Sequence, residues 1–223
     1  LAVHSLKDLP TVLPQGLALG AVPVREDPSD ALVLPAGASA GLGLESLPPG
    51  ARVGSSSVRR AAQLATLRPD LRVESVRGNV DTRLRKLDGG EYDALILAAA
   101  GLRRLGLESR ISRRLSPGEM VPAPGQGALG LECRAWDEQT HEALLRLNNA
   151  SARAAVEWER GLMDSIGGGC SVPFGAQAEA TGEGFILHAF LLRPDGSTRR
   201  FRHAVPTAPT PNQLALLAAE LTE

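Results

Sequence analysis

The chain has 223 residues, 43% of them hydrophobic, and 24 Lys plus Arg stand against 25 Asp plus Glu for a net charge of -1. That length and apolar content allow a substantial core in one to three compact units. No segment carries the sustained basic excess that phosphate binding requires, which argues against a nucleic-acid surface. No apolar stretch approaches the roughly 20 residues that span a bilayer, and the start carries no signal-peptide pattern, so the expectation is a cytoplasmic protein without a membrane partner.

In chain order, Leu1 reads as the tail end of a strand, so an amino-terminal segment is expected to be missing. Leu17 to Val22 and Ala31 to Leu34 read as short strands, separated by the polar connection Arg25-Glu26-Asp27-Pro28, a candidate hinge. A loop rich in Gly, Ala and Ser runs from Pro35 to Gly50. Strand Arg52 to Gly54, a helix from about Val58 to Leu67, strand Leu71 to Val76, helix Val80 to Leu87 and strand Ala94 to Ala98 follow. Alternation at this spacing predicts a parallel α/β domain.

Pro122-Ala123-Pro124-Gly125-Gln126-Gly127 is a second break and the expected return hinge. Two crossings between two lobes imply a ligand in the cleft between them, as in periplasmic binding proteins, and permit opening and closing. Helices at Glu138 to Leu147 and Ala152 to Asp164 then give way to strands Ala176 to Ala180, Phe185 to Leu192 and Arg199 to Ala204, under a helix from Gln213 to Leu221. The expected fold class is therefore α/β: two periplasmic-binding-protein-like lobes, the first incomplete, plus a small C-terminal α+β domain. The expected boundaries are 1–24 with 127–148 for domain 1, 25–126 for domain 2 with its hinges, and 149–223 for domain 3. Helix 213–221 stops without a capping glycine or proline, so some carboxy-terminal sequence is expected to be absent as well.

Several residues stand out chemically. Gly54-Ser55-Ser56-Ser57 leads from a strand into a helix, and such a turn binds anions through free N-H groups and the helix dipole. Arg59 and Arg60 follow in the first helical turn, where acidic residues are favoured, so a compensating bound anion is expected. Arg77 and Arg83 bracket the next strand-to-helix turn, with Asn79 as N-cap, and Arg104 follows the strand after it at the same edge. Only Lys7 and Lys86 among the 24 basic residues are lysine. Arginine's planar fork binds carboxylates two bonds at a time, so these arginines suit a polycarboxylate; most of the others read as solvated faces.

The two cysteines lack a metal-ligand spacing, and a reducing cytoplasm keeps them as thiols. Cys133 lies in a strand-like run and reads as structural. Cys170 follows Gly167-Gly168-Gly169, which lets the backbone turn sharply and something bulky approach the sulfur, although a helix stop with a small buried thiol explains the same residues.

Ala2-Val3-His4-Ser5-Leu6-Lys7-Asp8-Leu9-Pro10, Ser55-Ser56-Ser57-Val58-Arg59-Arg60 and Arg77-Gly78-Asn79-Val80-Asp81-Thr82-Arg83-Leu84 resemble, in order and almost to the chain's end, the porphobilinogen deaminase (hydroxymethylbilane synthase) family. Against that family, most of the amino-terminal portion of the first domain is absent. The resemblance implies a transferase that condenses four porphobilinogen molecules, losing ammonia, into the linear tetrapyrrole hydroxymethylbilane on a covalent dipyrromethane primer. It implies that Cys170 holds the dipyrromethane by a thioether and that Asp8 balances the positive charge that develops on the pyrrole. Ser5, Lys7, Ser57, Arg59, Arg60 and Arg83 are implied at the cofactor, and Arg77, Arg83, Arg104 and Gln126 at the substrate. It also implies a monomer. His4 is not assigned to catalysis.

Two other classes compete. A bilobal carboxylate-binding protein explains the arginines and hinges but leaves Asp8 and Cys170 unexplained. A cysteine hydrolase needs a histidine near Cys170, and the spacing of His141, His188 and His203 points to none.

Overall fold

The computed structural model of the chain describes residues 1–38, 41–167 and 172–223, in a mixed α/β structure. Two compact units emerge: Leu1–Pro28 with Val121–Glu223, and Ser29–Met120. The chain opens with β1 (Ala2–Ser5), a single 3-10 turn (Leu6–Asp8) and β2 (Leu17–Ala21) before entering the second unit.

That second unit contains β3 (Asp30–Val33), β4 (Arg52–Gly54), α1 (Val58–Leu67), β5 (Arg72–Glu74), α2 (Val80–Asp88), β6 (Ala94–Ala98), α3 (Ala99–Arg104) and β7 (Arg113–Leu115). Its sheet order is β5-β4-β6-β3-β7. β4 runs parallel to β5 and β6, as the strand-helix alternation predicts, but β3 is antiparallel to both β6 and β7. The sheet is therefore mixed rather than parallel. Among the described residues, β3 is followed by a loop and a short 3-10 turn, with no crossover helix to return the chain in the same direction.

β6 shows why this sheet is covered on both sides. Ala94 and Ile96 pack with Leu32, Leu64 and Met120, whereas Leu95 and Leu97 pack with Leu84, Leu87 and Leu102. Side chains alternate across a strand, so a continuous apolar run supplies two separate cores.

The chain returns to the first unit with β8 (Leu129–Arg134), α4 (Glu138–Leu145), α5 (Ala150–Ser165), β9 (Phe174–Ala180), β10 (Phe185–Leu192), β11 (Thr198–Val205) and α6 (Pro211–Thr222). β8 lies between β1 and β2, antiparallel to both, and a second antiparallel sheet has the order β11-β10-β9. α5 serves two cores. Ala152 and Val156 join Leu6, Leu9, Val22 and Ala128, while Ala155, Trp158 and Leu162 join Phe174, Leu187, Ala189 and Leu221. Helical spacing puts these two sets on different faces. α6 starts with a capping box, in which the Thr210 and Gln213 side chains each accept from the other's backbone N-H, and with Pro211 in its first turn.

Candidate functional site

In the second unit, three turns gather at one edge. β4, β5 and β6 are parallel, so the segments that follow them, Ser55–Ser57, 75–79 and α3, all leave from the carboxyl ends of their strands. Open α/β sheets bind ligands at that edge. Ser57 caps α1, its side chain accepting from the Arg60 backbone N-H at 3.4 Å, and Ser55 accepts from the Ser57 N-H at 3.3 Å. Ser56 is tied to Val76, accepting from its N-H at 3.1 Å and donating to its carbonyl at 2.7 Å, which joins the first two turns.

Arg59 and Arg60 are buried, at 4% and 7% exposure, and the carboxylate they meet is Asp30. Arg59 Nη1 donates to Oδ2 at 2.7 Å; Arg60 Nε and Nη2 donate to Oδ1 at 3.0 and 2.7 Å. Arg60 Nη1 donates to the Ile96 carbonyl at 2.9 Å. Burial alone would raise the Asp30 carboxyl, but the two facing guanidiniums outweigh it and hold the group well below the usual carboxylate range. The two cations at the start of α1 are thus balanced in part by a residue of the protein. Sequence reading missed Asp30 because it assumed a parallel sheet. Antiparallel β3 places Asp30 opposite Ala98, at the same edge where β6 ends.

Two cations at this edge have no carboxylate partner among the described residues. Arg77 is exposed, and Arg83 is half-buried with its Nε donating to the Gly78 carbonyl at 2.8 Å. Burial lowers the Arg83 pKa, and the like charge of Arg60 adds to the effect, so the two guanidiniums feel each other's field. Gly78 sits at φ 114°, where a Cβ would lie 2.7 Å from the Thr82 side chain, so the tight turn that aims Arg83 requires glycine. Asn79 caps α2 by accepting from the Thr82 N-H at 2.9 Å. Arg104 is exposed at the end of α3.

In the first unit, Asp8 is the last residue of the 3-10 turn and is exposed, with no hydrogen bond or ion pair among the described residues. Leu6 and Leu9, on either side of it, are buried at 0% and 6% exposure. Ser5 and Lys7 are half-buried beside it. His4 pairs with Glu132 at 3.0 Å across β1 and β8. Arg160, on α5, donates to the Leu6 and Leu9 carbonyls at 3.1 and 2.8 Å and to the Pro10 carbonyl.

The two crossings of the chain meet at Glu159. This fully buried carboxylate accepts from Arg25 through both oxygens, from the Gly125 N-H at 2.7 Å and from the Ala178 N-H at 2.9 Å. Arg25 Nε also donates to the Gln126 carbonyl at 2.9 Å, and Gln126 Nε2 donates to the Pro28 carbonyl at 2.7 Å. Gln126 is only 1% exposed, its side chain tied to the segment by which the chain leaves the first unit. Cys133 is buried, its sulfur 3.4 Å from His141 Nδ1. Cys170 lies outside the described residues.

In the second unit, arginine-bearing turns lie at the carboxyl edge of parallel strands, the edge at which open α/β sheets bind ligands. The family model described as "Porphobilinogen deaminase, dipyromethane cofactor binding domain" matches residues 1–142, and that described as "Porphobilinogen deaminase, C-terminal domain" matches residues 153–221. The chain belongs to the porphobilinogen deaminase family. It is 53% identical over 196 residues to the porphobilinogen deaminase of Roseiflexus sp. (strain RS-1), covering 88% of this chain and 63% of that protein. It is 50% identical over 199 residues to that of Thermus thermophilus, covering 89% and 65%. The chain thus spans a little under two thirds of the length of the curated relatives it matches. Among solved structures, the periplasmic VFT2 domain of Bordetella pertussis BvgS aligns over 57% of this chain and 52% of that one, at 19% identity and a TM-score of 0.35.

Proposed function

We propose that the protein acts as hydroxymethylbilane synthase, condensing four porphobilinogen molecules head to tail, with loss of ammonia, into hydroxymethylbilane. The observation that carries this reading is the pair of cations, Arg77 and Arg83, with no carboxylate partner among the described residues, at the edge where three parallel strands end. Porphobilinogen and dipyrromethane both carry acetate and propionate groups, and a guanidinium fork suits each of these. The donor set therefore fits the cofactor named in the family model.

When bound through Cys170, dipyrromethane supplies the pyrrole α-carbon to which the first porphobilinogen is joined. This chain's own residues do the rest. Ser5, Lys7, Ser57, Arg59, Arg60 and Arg83 hold the cofactor, while Arg77, Arg83 and Arg104 hold substrate carboxylates. Arg59 and Arg60 reach this role with Asp30 fixing their orientation, and Gln126 serves through the hinge. The Asp8 carboxylate, with no hydrogen bond or ion pair among the described residues, stabilises positive charge on the pyrrole nitrogens as ammonia leaves and as the carbon-carbon bond forms. On this reading the enzyme is a cytoplasmic monomer.

The test is porphobilinogen consumption by the purified holoenzyme, with hydroxymethylbilane and ammonia measured as products and the intact mass recorded alongside. Product formation by a protein carrying a dipyrromethane adduct supports the reading. A protein that binds porphobilinogen without releasing ammonia overturns it.

A further inference from the structure

Arg160 lies one residue beyond Glu159 on α5, yet its guanidinium reaches across to the start of the chain. Nη1 donates to the Leu6 carbonyl at 3.1 Å and the Leu9 carbonyl at 2.8 Å, and Nη2 donates to the Pro10 carbonyl. One helical turn further on, Asp164 Oδ1 accepts from Thr11 Oγ1 at 3.1 Å. Residues four apart share a helix face. A single face of α5 therefore grips the chain on both sides of Asp8.

The Leu6 N-H donates to the Ala128 carbonyl at 3.0 Å, which ties the entry of the turn to the strand side of the unit but leaves the carbonyls at Leu6, Leu9 and Pro10 to be held from elsewhere. Within Leu6–Asp8 the closing backbone bond, from the Leu9 N-H to the Leu6 carbonyl, is 3.3 Å long, and one 3-10 turn is a weak scaffold. The buried Leu6 and Leu9 side chains fix its floor. The rotation of the peptide units between them, which aims Asp8, depends on what their carbonyls meet. Arg160 binds the carbonyls at both ends of the turn with the same nitrogen. No carboxylate forms an ion pair with it among the described residues, so backbone carbonyls are the partners for its charge. Burial works against that charge, with Asp164 supporting it.

We propose that Arg160 is a positioning residue for the deaminase reaction, holding the Leu6–Pro10 segment so that the Asp8 carboxylate stands where charge develops. This rests on the reading of Asp8 as the charge-balancing group. A catalytic carboxylate must be held within about 0.5 Å of its productive position, and a misplacement of about 1 Å costs on the order of 10²-fold in rate. The Arg160 guanidinium is engaged with the Leu6, Leu9 and Pro10 carbonyls, so its removal is expected to act on kcat and to leave substrate affinity alone.

The experiment is a double-mutant cycle in the full-length, cofactor-loaded enzyme, with loading checked by intact mass. Asp8→Asn alone loses roughly 10²- to 10³-fold in kcat. Arg160→Met is expected to lose about 10- to 100-fold in kcat, with the KM for porphobilinogen within about twofold of wild type. Arg160→Lys, which keeps the charge but not the fork, recovers part of that loss. Asp8→Asn with Arg160→Met is no slower than Asp8→Asn alone, because there is no longer a carboxylate to aim. Near-normal turnover by Asp8→Asn overturns the reading of Asp8. A slow Asp8→Asn beside an unimpaired Arg160→Met, or a double variant slowed by the product of the two effects, overturns the role of Arg160. If Arg160→Met does not fold, the cycle is run with Arg160→Lys and judged by the same criteria.

Discussion

Arg25 and Glu159 meet fork to fork, Nη1 to Oε1 at 2.7 Å and Nη2 to Oε2 at 2.9 Å. Arg25 lies on the segment leaving the first unit and Gly125 on the segment returning to it, and both bind the same carboxylate. Glu26 and Gly127 complete the join: the Glu26 N-H donates to the Gly127 carbonyl at 3.2 Å. Gly127 sits at φ 83°, where any Cβ would strike the Glu26 carbonyl.

Glu159→Gln is expected to weaken the first unit substantially. The amide puts an N-H where a lone pair is needed and leaves Arg25 without its counter-charge. Removing one partner of a buried pair costs about 3–5 kcal/mol, a fall in Tm on the order of 10 °C for a protein of this size. Thermal unfolding followed by circular dichroism measures it; a shift of a degree or two would show that the pair contributes little.

Asp30 sets a pH dependence. Its folded pKa is depressed below the ordinary carboxylate value of about 3.9 by Arg59 and Arg60. The stability it contributes is therefore complete above about pH 4 and falls as the pH drops further. Asp30→Asn is expected to be less stable at neutral pH, with the gap to wild type narrowing below about pH 4. Denaturant midpoints from pH 7 down to pH 3 decide it, and a gap that stays constant would exclude Asp30 as the titrating group.

The arginines separate into two kinds. Arg59→Leu and Arg60→Leu each leave the 0%-exposed Asp30 carboxylate short of a partner. Both are expected to lose several kcal/mol of stability, on the order of 3–5. Arg77→Leu removes an exposed cation without a partner among the described residues and leaves Tm within a few degrees, while weakening porphobilinogen handling by the roughly 1.5–3 kcal/mol of a charged hydrogen bond. Paired Tm and kcat/KM measurements on the three variants test the division.

Peptide mapping of the active protein is expected to place the dipyrromethane adduct on the peptide containing Cys170. Cys133, only 3% exposed within β8 and beside His141, should be recovered as a free thiol. An adduct on Cys133, or an unmodified Cys170 in active enzyme, reverses the assignment.

Elements governed by local pattern were legible in the sequence. β4 and α1 fall where the Gly54-Ser55-Ser56-Ser57 turn puts them, and β10 and β6 have the bounds that their apolar runs predict. β7 was not legible, because Arg113-Arg114-Leu115 has no alternation and is a strand only by pairing with β3. The arginine turns could be read because their residues are adjacent in sequence. Asp30, Glu159 and Arg160 could not, since their partners are 29, 134 and 154 residues away. A lone charged residue in a helix pattern carries no mark of burial. The one available signal was Trp158-Glu159 within an apolar face of α5, a carboxylate where a hydrophobic residue fits the periodicity.

Because α5 contributes side chains to two cores at once, it has no way to fray that spares either of them. Its middle amides, around Val156 to Leu162, should exchange with deuterium only when the β1-β8-β2 and β11-β10-β9 sheets are lost together, while α4, with Leu144 its one buried residue, exchanges through small local openings. The first unit should therefore come apart as one cooperative block, with the slowest-exchanging hydrogens of that unit lying on the helix that carries Glu159 and Arg160.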